Sequence, residues 1–451
     1  MKPSPDIPLA ERLGQCVSSD HWFVEQRDRR GRVWAMAGWL RQTLAAHSSQ
    51  NVVCLAAEDK GLIAAAFLAS LAGGPVLLLP YSFSPQALAA MQQTTGYTLA
   101  VSDVDRPFPV TTRVLCPPQD LPPADVSGWH FHDDREVLRL YTGGSTGTPQ
   151  SWSKTGKNLI DEALFLARTF EVTAKDRIAA SISPYHIYGL LYSVLLPLVS
   201  GASVLPGTPS FPEEIRSAIL DQAATILVSV PAHYRALRGK GCLGESLRLA
   251  FSSAGALEPE DNAVFCRDNP AGIVEVYGST ETGGIGLRNR SHGEEGFTPY
   301  ATLAWTIRKD RLCLRSPYLS PELPYDANRF FATGDRVSCC GGNSFVLLGR
   351  IDSITKVGGK RVDLEEIQAL IRAESGVRDS LVLSVPEASG RGHRIVAVVE
   401  GEQVDLEQLR RRLRTQCEPY AQPRAIQQVA RIPVKENGKY DRDQILRLFI
   451  P

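Results

Sequence analysis

The segment between Lys60 and Asp103 contains no charged residue, and this feature most constrains the fold of the chain. Its first part, residues 61–80, is long enough to span a bilayer. A Gly-Gly-Pro sequence at residues 73–75 interrupts it, however, after about three helical turns. The pattern therefore predicts a buried helix, a glycine turn and a buried strand at Val76–Leu79, with no membrane span.

A second segment, Tyr188–Leu205, repeats this plan with an apolar helix, Gly201 and a short apolar strand. Short apolar runs at Thr225–Val230 and Ile273–Val276 indicate further buried strands. Strands that are apolar on both faces and alternate with helices are typical of a parallel sheet covered by helices. The sequence therefore predicts an α/β fold, in which a large N-terminal domain of layered sheets and helices covers residues 1–351.

The pattern changes after Asp352. Apolar spacing there indicates a small α+β unit with elements at 364–371, Leu381–Val385, Ile395–Val399, Leu406–Cys417 and Ala425–Ile432. Residues 352–451 are a reasonable size for a second domain. Because interfaces between domains of one chain are often weak, we expect this small C-terminal domain to be mobile.

Composition excludes several classes of protein. The chain has 49 basic and 49 acidic residues, so it lacks the basic excess of a general nucleic-acid binder. Its nine cysteines are scattered and contain no CxxC pair, which argues against a disulfide framework or a structural zinc site. We therefore expect a reducing compartment, the cytoplasm. The N-terminal residues lack the apolar core of a secretory signal, so none is expected.

A glycine- and hydroxyl-rich loop follows the apolar segment Val137–Leu140. Its residues are Thr142, Gly143, Gly144, Ser145, Thr146 and Gly147. Such a loop allows backbone N–H and side-chain O–H groups to converge on phosphate oxygens, an approach that bulky side chains would block. It is not a Walker loop, because no Gly-Lys-Ser/Thr sequence follows at the required spacing.

The same loop fits a second pattern. Residues 143–147 read G-x-S-x-G, the nucleophile elbow of serine hydrolases, which also requires a downstream acid and a histidine. Four histidines are candidates, and none stands in a diagnostic context: His186, His233, His292 and His393. A serine hydrolase is therefore the alternative interpretation of this loop.

A polar cluster at residues 276–284 follows an apolar strand. Ligands in open α/β sheets bind at the carboxyl ends of strands. Tyr277 could therefore stack on a base, Thr280 could bind a phosphate and Glu281 could hold Mg2+. The alternative interpretation is a polar strand-to-helix turn.

Two further clusters lie nearer the C-terminus. Asp335 follows a glycine, and a carboxylate in such a turn can accept hydrogen bonds from two ribose hydroxyls. A glycine-containing charged stretch follows at residues 349–367. Lys439 lies in an Asn-Gly-Lys sequence, which by itself is typical of a solvated turn.

Together, in this order, the four clusters resemble the acyl-adenylate-forming superfamily, which includes acyl- and aryl-CoA synthetases, adenylation domains and luciferases. The resemblance runs from about Leu140 to Arg442. It implies that ATP with Mg2+ activates a small carboxylic acid as an acyl-adenylate with release of pyrophosphate. The acyl group then passes to a thiol, either of coenzyme A or of a phosphopantetheine-loaded acyl carrier protein.

The resemblance also implies roles for individual residues. Those expected near the nucleotide are Thr142 to Gly147 at the β- and γ-phosphates, Gly255 and Tyr277 at adenine, Thr280 at the α-phosphate, Glu281 at Mg2+, and Asp335 at the ribose with Arg350 close by. Those expected in catalysis and domain movement are Lys439, which bridges acid and nucleotide, Asp352 as the hinge, and Gly358 and Gly359 at the pantetheine tunnel.

The segment Ser183–Gly189 matches the part of the family that lines the acid site. His186 would gate or contact the carboxylate, and a hydrogen-bonded core histidine is the alternative. Amino-acid-activating relatives place an aspartate in this segment, and none is present here. The apolar, aromatic character of the segment therefore favours an aryl or medium-chain acid, with Val230–Tyr234 as another wall.

One residue departs from the family pattern. The family usually has lysine after the loop proline, whereas this chain has Gln150, which brings no charge to the triphosphate. Lys154 or Lys157 could substitute, or the chain could be a non-adenylating pseudo-enzyme or scaffold. A basic run at Arg410–Arg414 is either a solvated helix face or a dock for coenzyme A or an acidic carrier protein.

Overall fold

The computed structural model describes residues 13, 20–47, 51–132, 134–142, 150–351, 354–357, 360–386, 393–434 and 440–449, with the backbone alone at 354, 356, 360 and 361. The chain forms two compact units. The first comprises Met1–Ala304 and Arg315–Arg329, and the second comprises Trp305–Leu314 and Phe330–Pro451. Asp352 lies outside the described residues, so a hinge there stays a prediction.

The first unit is built on two sheets. Its strands are β1 (Trp22–Val24), β2 (Asp28–Arg29), β3 (Val52–Leu55), β4 (Val76–Leu79), β5 (Leu99–Val101), β6 (Arg113–Leu115), β7 (Glu136–Thr142), β8 (Gln150–Thr155), β9 (Arg177–Ala180), β10 (Ser203–Val204), β11 (Ile226–Ser229), β12 (Leu249–Ser252), β13 (Val274–Ser279), β14 (Gly283–Asn289) and β15 (Thr298–Pro299). One sheet has the order β6-β5-β3-β4-β7-β8 and the other β15-β14-β13-β12-β11-β9-β10-β1-β2. Parallel pairing dominates the middle of both sheets.

Helices cover these sheets. Those of the first unit are Arg30–Ala45, Lys60–Leu71, Pro85–Thr95, Gly156–Thr169, Ile187–Leu190, Leu191–Leu195 (a π-helix), Leu196–Ser200, Pro212–Leu220, Pro231–Ala236, Pro259–Asp268 and Arg290–His292 (a 3-10 helix). The π-helix ends two residues before Pro197, whose missing N–H cannot continue the regular hydrogen-bond ladder. The sequence predicted a simple helix for this segment.

The charge-free segment folds as its pattern predicted. Every residue of the helix Lys60–Leu71 is buried, and the side chain of Asp59 caps it by accepting from two backbone N–H groups. Strand β4 has the predicted bounds. The Lys60 ammonium group donates to the carbonyl oxygens of Leu205 and Gly207, which satisfies an otherwise costly buried charge. In the described part of the chain, no helix is long and apolar enough to cross a membrane.

The second unit is richer in antiparallel pairing. Its strands are β16 (Ala304–Arg308), β17 (Arg311–Arg315), β18 (Phe331–Cys339), β19 (Phe345–Arg350), β20 (Ile354–Val357), β21 (Lys360–Asp363), β22 (Asp379–Pro386), β23 (His393–Glu400) and β24 (Ala425–Val429). They form sheets β16-β17-β18-β19, β20-β21 and β22-β23-β24. Its helices are Leu364–Arg372, Leu406–Gln416 and Arg442–Arg447. The predicted α/β class, with a large N-terminal part and a small α+β C-terminal part, is confirmed.

Candidate active site

Four neighbouring parallel strands of the nine-stranded sheet end at one edge. β13, β12, β11 and β9 lie side by side and run in the same direction. The segments that follow them therefore converge, although up to about 100 residues of sequence separate them. These segments are 181–186 after β9, 230–233 after β11, 253–255 after β12 and 280–281 after β13.

The Glu281 turn, residues 280–282, joins β13 to β14 as a tight antiparallel hairpin. It is therefore a strand-to-strand turn and not the strand-to-helix turn considered from the sequence. The hydroxyls of Ser279 and Thr282 lie 2.8 Å apart, and the Ser320 N–H donates to the Glu281 carbonyl at 2.8 Å. Thr280 and Glu281 remain partly exposed on this fixed backbone.

Glu281 presents a carboxylate that takes part in no hydrogen bond or salt bridge with the described residues. One such carboxylate suits Mg2+, which usually binds one or two protein carboxylates together with substrate phosphates. Among those residues, no group of three or more His, Cys, Asp or Glu side chains could hold a metal by itself. The donor set therefore fits an ion shared with a phosphate-containing substrate and does not suggest a closed protein cage.

The two candidate adenine contacts lie on neighbouring segments, Gly255 in the loop after β12 and Tyr277 in β13. The Ser253 hydroxyl donates to the Val276 carbonyl at 2.7 Å and so joins the ends of β12 and β13. Gly255 is exposed, and the preceding Ala254 adopts the left-handed conformation with φ of 68°. Tyr277 is half-buried, with its ring centroid 5.4 Å from that of Phe297.

The glycine-rich loop starts and ends on paired strands. Thr142 at the end of β7 is paired with Gln150 at the start of β8. Gly143, Gly144, Ser145, Thr146 and Gly147 lie outside the described residues, so their roles stay predictions. Gln150 is exposed, as is Lys157 in the first turn of the following helix, whereas Lys154 is only 1% exposed. The ammonium group of Lys154 donates to carbonyl oxygens inside the unit.

The candidate acid segment is held in a defined conformation. The Tyr185 hydroxyl donates to the Ala57 carbonyl at 2.7 Å, and its ring packs edge-on against Phe83. A Cβ atom at Gly189 would overlap the Ser183 carbonyl, so only glycine permits this fold of the chain. His186 is half-buried and precedes the helix Ile187–Leu190.

A polar trio beside this segment was not identified as a unit from the sequence. The Nδ1 atom of His233 lies 2.8 Å from the Ser181 hydroxyl, which lies 2.7 Å from the Ser229 hydroxyl. Burial lowers the pKa of His233, so the imidazole is neutral near pH 7. Because about 50 residues of sequence separate Ser181 from Ser229 and His233, only their position at the carboxyl ends of the adjacent parallel strands β9 and β11 could have revealed the trio.

In the second unit, the structure brings together the two predicted ribose-site residues. Asp335 on β18 is paired with Arg350 on β19, and their side chains lie 3.3 Å apart. A Cβ atom at Gly334 would lie 2.7 Å from the Arg350 guanidinium, so glycine gives that side chain its space. Lys439, Asp352, Gly358 and Gly359 lie outside the described residues, so their roles stay predictions.

Comparisons with known proteins identify the family. Residues 27–303 match the family described as AMP-binding enzyme, and residues 366–439 match its C-terminal domain. A sulfoacetate–CoA ligase of Cupriavidus necator is 26% identical over 342 residues, which cover 69% of this chain and 67% of that protein. An anthranilate–CoA ligase of Pseudomonas aeruginosa is 26% identical over 462 residues, covering 88% and 86% respectively.

Solved structures share the fold. The crystal structure of ATP-bound MatB from Rhodopseudomonas palustris has a TM-score of 0.82, with 21% sequence identity and 98% of each chain covered. The family match favours the phosphate-binding interpretation of the glycine-rich loop over the nucleophile elbow. The chain therefore belongs to the AMP-binding enzymes.

Proposed function

We propose that this chain is an ATP-dependent carboxylic acid–thiol ligase. It activates an aryl or medium-chain acid as acyl-AMP, releases pyrophosphate and transfers the acyl group to a phosphopantetheine thiol. The observation that carries the proposal is the convergence of four segments at one sheet edge, among which Glu281 offers an uncommitted carboxylate. An acid segment and a nucleotide segment on the same edge are what the joining of two anions requires.

The chemistry explains why these groups are needed. The acid oxygen must attack the α-phosphorus while pyrophosphate leaves, so positive charge and hydrogen-bond donors must offset the repulsion between two anions. In our proposal the Thr142–Gly147 loop holds the β- and γ-phosphates, and Thr280 donates to the α-phosphate. Mg2+ bound by Glu281 supplies positive charge to the phosphate oxygens.

Residues of the second unit complete the proposed chemistry. Asp335 accepts hydrogen bonds from the ribose hydroxyls, with Arg350 orienting its carboxylate. Lys439 supplies a positive charge to the acid and the α-phosphate during adenylation. A change of arrangement about Asp352 then replaces Lys439 by the Gly358–Gly359 turn, past which the thiol reaches the acyl-adenylate.

The proposed class of acid follows from the acid segment. His186 contacts the carboxylate, while the aromatic side chains Tyr185 and Phe83 supply an apolar wall. The neutral His233 can form a hydrogen bond but brings no positive charge, which favours an uncharged group on the acid over a second anion. An aryl acid with a neutral polar substituent fits this description, and the name of the anthranilate–CoA ligase relative agrees with it.

The thiol acceptor is either coenzyme A or an acyl carrier protein. On the helix Leu406–Gln416, Arg410 pairs with Glu407 and Arg412 pairs with the buried Glu374. Arg411 and Arg414 are exposed and form no salt bridge with described residues, so these two could bind an anionic acceptor. The double variant Arg411→Glu/Arg414→Glu should raise the KM for that acceptor about tenfold and leave acid-dependent ATP–pyrophosphate exchange unchanged.

The deciding experiment measures pyrophosphate release with a panel of acids that includes anthranilate, benzoate, octanoate, malonate and sulfoacetate. Each acid is tested alone, with coenzyme A and with a holo carrier protein. Release that requires one aryl or medium-chain acid supports the proposal, and stimulation by one acceptor identifies the thiol. If no acid gives release, the chain is a non-adenylating scaffold, to which the neutral Gln150 would point. The cytoplasmic location stays a prediction from the cysteine pattern.

A further inference from the structure

Two ionisable side chains in the first unit are almost fully buried and have no part in the proposed chemistry. Lys154, on β8, is 1% exposed, and Glu162, in the helix Gly156–Thr169, is 2% exposed. Both follow the glycine-rich loop in sequence. Burial of a charge is costly unless other groups satisfy it, so the contacts of this pair explain its presence.

The contacts of both side chains lead to the Glu281 turn. The Lys154 ammonium group donates to the carbonyl oxygens of Glu281 at 3.3 Å and of Tyr318 at 2.8 Å. One carboxylate oxygen of Glu162 accepts from the backbone N–H of Gly284 at 2.7 Å. Lys154 therefore binds the middle residue of the turn, and Glu162 binds β14, the strand that follows the turn.

Further hydrogen bonds extend this network. The Ser153 N–H donates to the Glu322 carboxylate at 2.7 Å, and the Asn158 amide donates to the Pro317 carbonyl at 2.6 Å. The Ser320 N–H donates to the Glu281 carbonyl. The strand and helix that leave the glycine-rich loop are thus hydrogen-bonded both to the Glu281 turn and to the segment that supports it.

In this buried pair, each side chain favours the charged form of the other. Burial lowers the pKa of Lys154, while the nearby carboxylate of Glu162 favours its charged form. Burial also raises the pKa of Glu162, which the Gly284 N–H and Lys154 oppose. A well-packed apolar pair would give similar or greater stability in such a place, so stability alone does not account for two buried charges.

We propose that Lys154 and Glu162 are positioning residues for the magnesium and α-phosphate ligands. Through the Glu281 carbonyl within the turn and the Gly284 N–H just after it, they fix Thr280 and Glu281 in the orientation that Mg2+ and ATP require. They also join this turn to β8, the strand that begins at Gln150. The inference rests on the proposed role of Glu281.

The test measures Mg2+-dependent ATP binding by titration calorimetry and the Mg2+ concentration that gives half-maximal pyrophosphate release. Lys154→Met should raise that concentration at least tenfold and weaken ATP binding more in Mg2+ than in EDTA, because only the binding in Mg2+ depends on Glu281 as well as on Thr280. Glu162→Gln keeps an oxygen acceptor for the Gly284 N–H and should change the half-maximal Mg2+ concentration less than threefold. Glu162→Leu removes that acceptor and should raise the concentration as much as Lys154→Met does. Lys175→Met, at an exposed lysine just before β9 to which no role is assigned, is the control and should behave as wild type.

A second control separates positioning from lost stability. Arg248→Ala removes a salt bridge to Asp176 at the amino end of β12, the opposite end of the strand from the site. It should lower the urea midpoint yet leave the Mg2+ requirement unchanged. An unchanged Mg2+ requirement in folded Lys154→Met and Glu162→Leu would overturn the proposal, as would an equal change in Arg248→Ala. If Lys154→Met does not fold, the contrast between Glu162→Gln and Glu162→Leu decides. Failure of the wild type to bind ATP in Mg2+ would instead reject the role of Glu281.

Discussion

Gly283, the first residue of β14, directly follows the Glu281 turn. Its backbone conformation and its surroundings accept only glycine. Its φ of 68° lies in the left-handed region. A Cβ atom there would lie 2.7 Å from a carboxylate oxygen of Glu162 and 2.7 Å from the Cβ atom of Tyr318. The substitution Gly283→Ala therefore combines backbone strain with overlap in a buried place.

The two effects can be estimated separately. Left-handed backbone costs a residue with a Cβ atom about 1–2 kcal/mol, and overpacking of a buried site typically costs about 1–3 kcal/mol. Gly283→Ala should therefore lower the free energy of unfolding by about 2–5 kcal/mol. Gly293→Ala isolates the strain, because φ is 79° there and nothing lies within 4 Å of the added atom. Gly284→Ala isolates the overlap, because its φ is not positive and a ring carbon of Tyr300 lies 2.6 Å from the added atom.

Urea unfolding followed by tryptophan fluorescence provides the assay. Of the six tryptophans, Trp305 alone belongs to the second unit, so a Trp305→Phe background reports unfolding of the first unit. Gly283→Ala should lose more stability than Gly293→Ala, and the difference measures the cost of the overlap around Gly283. If Gly283→Ala is no less stable than Gly293→Ala, the contacts assigned to Glu162 and Tyr318 around the turn are wrong.

Three further variants test the site and the fold. Gln150→Lys should lower the KM for ATP by up to about fivefold, since an exposed charge pair contributes at most about 1 kcal/mol; an unchanged KM would mean that the missing loop charge is unimportant. Lys439→Ala should abolish adenylation but retain thioester formation from a supplied acyl-adenylate, and equal loss of both half-reactions would contradict the proposed change of arrangement. Burial raises the pKa of Asp176, but hydrogen bonds, chiefly from Arg248, outweigh it and leave the pKa below its ordinary value. The stability that Asp176 contributes should therefore be present above about pH 4 and lost as the pH falls further. In Asp176→Asn the urea midpoint should depend less on pH in that range.

Local patterns were sufficient for much of the fold. The absence of charge from residues 61–102 indicated a helix and a strand buried on all sides, and the helix Lys60–Leu71 and β4 are both buried. In the C-terminal part, apolar spacing indicated β22, β23 and the helix Leu406–Gln416 within two or three residues of their ends. The spacing of apolar residues within each segment determines these helices and strands, and this spacing can be read from the local sequence.

Features that depend on pairing between distant segments could not be predicted. The pairing of β17 with β18 brings residues 305–314 into the second unit, and no change in composition marks that insertion. The Ser181–Ser229–His233 trio likewise depends on the order of parallel strands. From the sequence, Lys154 and Lys157 were alternative substitutes for the loop lysine, because nothing local shows that the Lys154 ammonium group donates to the Glu281 carbonyl.

The buried position of Lys154 suggests how a chain of zero net charge could bind the two anionic substrates proposed above. The loop residue that usually carries a positive charge is neutral here, at the exposed Gln150. An exposed ammonium group acts through water, which screens it strongly, whereas a buried one acts through a medium of lower dielectric constant. The Lys154 charge lies beneath the Glu281 turn, where its pull on main-chain carbonyl groups is little screened. We therefore expect Lys154 to act mainly by holding the proposed ligands in position, while loop N–H groups and Mg2+ neutralise the phosphates.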